Sequence, residues 1–136
     1  MKYLIIVLSS FLISATMSNT SSLKFEQMPL KEALLKAKKE GKGVFMVYMA
    51  PWCGTCLFMK QNTFTSEKLI STLEKDFICI KFNKDKVFTY PEELGDVSWE
   101  TLPAMFFFDK SGELQKQLEG HQSPDDLISI ANEVLK

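Results

Sequence analysis

Gly43-Val44-Phe45-Met46-Val47-Tyr48-Met49-Ala50-Pro51-Trp52-Cys53-Gly54-Thr55-Cys56 is the stretch on which the fold turns. Its first eight residues run apolar without a break and are rich in β-branched and aromatic side chains. They read as a strand covered on both faces, as in the middle of an α/β sheet. Pro51 stops that strand, and a helix is expected from around Cys53. The junction matters chemically. A sulfur at a helix N-terminus faces unpaired N–H groups and the positive end of the dipole, so its thiolate is stabilised and its pKa lowered. Two intervening residues place the second sulfur one turn on, close enough to form a disulfide or to resolve a mixed one. Cys53 reads as the attacking, solvent-facing thiolate and Cys56 as the more buried resolving thiol.

Other uses of the pair fit less well. Leu57 rather than His follows Cys56, so this is not a CxxCH haem-attachment sequence. A structural zinc would have only Cys79 and His121 as further soft ligands. A purely structural disulfide would close too small a loop to add much stability. The metal and structural alternatives stay open beside the leading redox reading.

Outward from the pair, helical and extended patterns alternate. Before it, Leu30, Ala33, Leu34 and Ala37 recur at helical spacing after Pro29, and Gly41 closes the pattern as a cap. After it, Cys56, Leu57 and Met59 are the apolar positions of the helix, which breaks near Thr63-Phe64-Thr65. Ser66 then caps a segment with Leu69, Ile70 and Leu73 on one face. Phe77-Ile78-Cys79-Ile80-Lys81-Phe82 reads as the next buried strand, with Cys79 a buried, inert thiol. Residues 83–101 are poorly legible beyond a helical turn at Pro91-Glu92-Glu93-Leu94 closed by Gly95. Ala104 to Phe108 is a third apolar strand, Asp109-Lys110-Ser111-Gly112 a hairpin turn, and Glu113 to Leu118 a weaker strand. Ser123-Pro124-Asp125-Asp126 starts a last helix, whose inner face is Leu127, Ile128, Ile130, Ala131, Val134 and Leu135. A βαβ unit followed by a hairpin and a helix predicts a mixed central β-sheet flanked by helices, an α/β fold.

Composition narrows the classes. The chain has 136 residues, 46% of them hydrophobic, with a formal charge of −1. That apolar fraction can bury enough surface for one ordered domain. The near-zero charge offers no electrostatic footprint for nucleic acid, which is not expected as a partner. Three cysteines are too few for a disulfide-stapled framework. At the N-terminus, Met1-Lys2, an apolar run from Tyr3 to Ile13 and the small residues around Ser14-Ala15-Thr16-Met17-Ser18 have the layout of a secretory signal peptide over residues 1–18, cut between about 15 and 20. The run is short for a membrane span. Residues 23–136 are then the working domain, expected in the periplasm, where cysteines meet oxidising conditions.

These features together resemble the thioredoxin superfamily. The resemblance rests on Val44 to Cys56, the strand Phe77 to Phe82, and Leu102-Pro103 ahead of an apolar strand. It extends from about Ala33 to the end of the chain. Met49-Ala50-Pro51-Trp52-Cys53, Asn62-Thr63-Phe64 and Phe106-Phe107-Phe108-Asp109 look closest to exported thioredoxin-like proteins and the C-terminal domain of bacterial thiol:disulfide interchange proteins. The resemblance implies a cis Pro103 facing the pair, with the backbone of Leu102 presented to an extended substrate segment. It implies Trp52 as an apolar shield and contact surface, and Gly120 in a loop flanking the site. Val47 stands where thioredoxins carry a buried Asp, so Lys81, matching the lysine that accompanies that Asp, is expected to lack its partner. His121, after Gly120, is expected either near the redox site or as an exposed loop residue.

The expectation is an exported thiol–disulfide oxidoreductase, most simply a reductase. It needs no cofactor and no metal, acts on protein disulfide or dithiol substrates, and draws on a membrane thiol electron donor. A monomer is expected. A thiol oxidase or isomerase, or a non-catalytic thioredoxin-like binding module, is the alternative.

Overall fold

Side chains of a strand point alternately to its two faces, and the strand after the first helix obeys this on both sides at once. In the computed structural model, which describes residues 21–87 and 90–136, helix α1 (Leu30–Glu40) leads through Gly41 into β1 (Gly43–Met49). Val44, Met46 and Tyr48 enter one apolar layer with Leu30, Ala33 and Ala37 of α1. Phe45 and Val47 enter the other. All five are fully buried, which is why this strand carries no charged residue.

The remaining elements are α2 (Gly54–Gln61), α3 (Glu67–Asp76), β2 (Phe77–Asn83), β3 (Ala104–Phe108), β4 (Leu114–Glu119) and α4 (Pro124–Val134). Short 3-10 turns lie at Lys84–Lys86 and Glu92–Leu94. The sheet order is β2-β1-β3-β4. β1 and β2 pair in parallel through the α2–α3 crossover, while β1–β3 and β3–β4 are antiparallel. This is the expected mixed sheet between helices. α1 covers one face; Leu69 and Leu73 of α3 and Leu127, Ile128 and Ala131 of α4 cover the other.

Local signals set the boundaries. Gly41 takes φ +66° at the end of α1, a conformation that disfavours side chains. Ser66 and Ser123 cap α3 and α4 by accepting from the amides of Leu69 and Asp126. Gly43 is required for space: a Cβ there would run into the Phe108 carbonyl and lie 2.8 Å from the Phe77 ring.

The structure departs from the sequence reading in three places. Leu57, expected in the inner stripe of α2, is half exposed, because so short a helix turns only Cys56 and Met59 inward. Leu23 to Pro29, to which the sequence pattern assigns no element, take part in the fold. Leu23 is buried and its amide donates to the Phe64 carbonyl, and Glu26 bridges to Ile80 alongside β2. In the poorly legible stretch, Leu94 and Trp99 are core residues. The signal-peptide reading lies outside the described residues. Among the described residues, no helix is long and apolar enough to cross a membrane.

Candidate active site

The site is assembled where β1 ends. Ala50, Pro51 and Trp52 form the turn, and Cys53 caps α2 with extended backbone angles. The Cys56 amide donates to Cys53 Sγ at 3.1 Å. One of the helix's free N–H groups is therefore spent on the sulfur, the arrangement that favours a thiolate there once the pair is reduced. Cys53 and Cys56 are joined as a disulfide, with Cα atoms 5.2 Å apart.

Cys53 is less open than a solvent-facing thiol would be. It is 7% exposed and Cys56 3%, so in the oxidised form the difference between the two is small. Trp52 is the exposed member of the motif at 69%. Its indole N–H donates to both carboxylate oxygens of Asp85, at 3.0 and 3.1 Å, which pins the ring beside the disulfide. Asp85 is a residue that the sequence reading misses. Its usable signal is the Asn83-Lys84-Asp85 run closing β2: Asn83 accepts from the Asp85 amide and turns the chain back toward the neighbouring strand's end.

Leu102 belongs to the same apolar cluster as Cys53, Cys56, Ala50 and Trp99. The Leu102–Pro103 peptide bond is cis. The Pro103 carbonyl accepts from the Gly120 amide at 2.9 Å, so Gly120 lies against the segment entering β3. Gly120 has φ +74°, whereas a Cβ there would meet nothing closer than Thr101 at 3.8 Å. Backbone conformation, more than crowding, requires the glycine. Glu119 anchors the approach, accepting from the amides of Glu100 and Thr101 at 3.0 and 2.8 Å. Thr63, just past α2, donates its hydroxyl to the Gln122 carbonyl and ties the end of that helix to the Gly120 loop.

The other residues that the sequence singles out fall around this centre in different ways. Val47 is fully buried and pairs in register with Lys81. Lys81 is half-buried, with its ammonium 5.4 Å from the centre of the Phe25 ring. His121 is exposed, with its ring edge-on to Phe58 at 5.3 Å. Cys79 is a free, buried thiol; burial in the strand pushes it well above the ordinary thiol range, consistent with an inert role.

A family model described as a thioredoxin-like domain matches residues 30–135. The chain belongs to the thioredoxin-like domain family. No curated protein matches it. Among solved structures, the C-terminal domain of Neisseria meningitidis DsbD in its oxidised form is 22% identical with a TM-score of 0.58, covering 83% of this chain and 99% of that one. Its reduced form is 25% identical with a TM-score of 0.56, covering 77% and 93%. A candidate disulphide-isomerase from Bacteroides thetaiotaomicron is 22% identical with a TM-score of 0.66, covering 88% and 100%. This thioredoxin-like protein, with its Cys53–Cys56 pair at the head of α2, is a thiol–disulfide oxidoreductase.

Proposed function

We propose that the protein is an exported disulfide reductase of the periplasm, acting on protein disulfides and re-reduced by a membrane thiol carrier. The observation that carries the reading is the sulfur of Cys53 at the N-cap of α2, accepting the Cys56 amide and following the exposed Trp52 in the chain. In the reduced protein, the Cys53 thiolate attacks one sulfur of a substrate disulfide. The substrate bond breaks, one substrate thiolate leaves, and a mixed disulfide with Cys53 forms. Cys56 then loses its proton to solvent and attacks Cys53 Sγ. The second substrate thiolate departs and the Cys53–Cys56 bond closes, so two electrons have passed to the substrate. An extended substrate segment lies along the backbone of Leu102, between Trp52 and the Gly120 loop, adding a short strand beside Pro103. Export is supported by the N-terminal layout of Lys2, the apolar run and small residues.

The test is trapping in the exported compartment with Cys56→Ser, which leaves the mixed disulfide on Cys53 unresolved. Covalent adducts on Cys53 that vanish with dithiothreitol, and that Cys53→Ser abolishes, are expected. A redox titration against glutathione sets the direction: a potential well below that of the glutathione couple supports a reductase. A potential above it makes the pair an oxidase, and retention of function by Cys53→Ser makes the protein a binding module.

A further inference from the structure

A cleft of about 290 Å³ opens beside the disulfide, on the side of Cys56 rather than of Pro103. Its walls include Ala50 and Pro51 from the turn, Cys56 and Lys60 from α2, and Lys81 and Asn83 from β2, with the apolar Met49, Leu57 and Phe82 making up the rest. Two lysines thus line one opening, and no acidic residue does. Neither lysine is among the paired ones: the ion pairs of the described residues use Lys36, Lys42, Lys68 and Lys116. Two acids near Lys81 in the chain or across a backbone bridge are committed elsewhere. Glu26, bridged to the neighbouring Ile80, holds Lys36 at 2.7 Å, and Asp85 holds the Trp52 indole.

Lys81 is the telling member. Its side chain is half-buried, its strand neighbour is the apolar Val47, and the Phe25 ring faces its charge. Lys81 has no acidic partner among the described residues, and a carboxylate delivered from outside would supply a charge-assisted contact there. Cations at the rim of a binding face also raise encounter rates for acidic partners and slow those for basic ones.

We propose that this cleft receives an acidic side chain, Asp or Glu, from the protein substrate, next to the cysteine that Cys53 attacks. This rests on the redox reading above and adds a substrate class to it. The preferred partner is a disulfide or dithiol segment flanked by carboxylates. The lysines select it by charge, and the backbone of Leu102 holds its backbone without regard to sequence.

Three disulfide-linked peptides that differ only in flanking Glu, Gln or Lys residues test this, each reacted with the reduced protein and followed by chromatography of the released peptide thiols. At low ionic strength the Glu peptide is expected to react about 10-fold faster than the Lys peptide, with the Gln peptide between them. Near 0.5 M salt the spread is expected to fall to about 2-fold, since screening over a few ångströms removes most of an exposed charge effect. Lys60→Glu, at an exposed position that the fold tolerates, is expected to reverse the order. Lys81→Met is expected to flatten it, and Lys81→Arg to restore it. Equal rates for all three peptides overturn the proposal while leaving the redox reading intact. Failure of all three to react overturns both.

Discussion

At position 47 a single side chain separates this protein from the thioredoxin pattern that it resembles. Val47 is fully buried in the layer that also holds Met59 and Met105, in register with Lys81. With no acid there, position 47 offers Cys56 no proton acceptor and Lys81 no counter-charge in register. Val47→Asp is expected to accelerate ionisation of Cys56 near neutral pH and to cost the fold about 2–4 kcal/mol, because an ion is placed in an apolar layer. Burial raises that carboxyl above its unfolded value. The penalty relative to Val is therefore smallest below about pH 4 and grows as pH rises from the unfolded value toward the folded one. Thiol titration of Cys56 and urea unfolding at acid and neutral pH check the two effects; an unchanged titration removes the argument. Cys53, Cys56 and Pro103 are legible one by one because spacing and neighbours mark them. Asp85 is not, since its importance comes from an indole 33 positions away.

Elements whose ends carry chemical signals match their reading most closely. Ser123 and Pro124 start α4, Ser66 starts α3 and Gly41 ends α1, each meeting backbone groups that a helix leaves unpaired. The hairpin between β3 and β4 shows the same principle. Partial burial opposes the charge of Asp109. The Ser111 hydroxyl, the Glu113 and Ser111 amides and the Gln115 side chain outweigh this and hold its carboxyl below the usual range. A depressed carboxyl stabilises above its unfolded value and loses that contribution as pH falls through the folded one. Asp109→Ala is thus expected to cost about 1 kcal/mol at neutral pH, a figure kept small by exposure of the turn. The gap from wild type is expected to close below about pH 4, which denaturant melts at two pH values would record. In α2 the position is legible but the width of the inner face is not. In eight residues its apolar face is only Cys56 and Met59, so Leu57 and Phe58 are left half exposed beside the disulfide.

Taken as one object, the molecule is a sheet with two unequal coats, α1 on one face and α3 with α4 on the other. The segment ahead of α1 seals the second coat. Leu23 is buried there, Phe25 packs edge-on to Phe64 with ring centres 5.4 Å apart, and the Glu26 amide donates to the Cys79 carbonyl. Leu23→Ala is expected to lower the unfolding free energy by about 2 kcal/mol, at the low end for a buried leucine because the residue sits in an irregular segment outside the helices and strands, which can close up. Removal of residues through Glu26 is expected to cost more, whereas trimming that stops before Leu23 leaves the midpoint unchanged. Thermal unfolding of a nested series of N-terminal truncations measures this. A midpoint that falls already on removal of residues before 21, or that ignores the loss of Leu23, contradicts it.

Short-range information is enough for the order of elements, the strand buried on both faces, the helix caps and the position of a reactive sulfur at a helix start. Periodicity, caps and turn residues act within a few positions, so their consequences can be read along the chain. Tertiary contact alone decides that Leu23 and Trp99 are core, that Asp85 holds Trp52, and that Lys81 shares a cleft with Lys60 and Cys56. Those relations join residues far apart in the chain. Their energies arise from burial and from charges facing one another, which exist only after the sheet has brought the ends of β1 and β2 side by side.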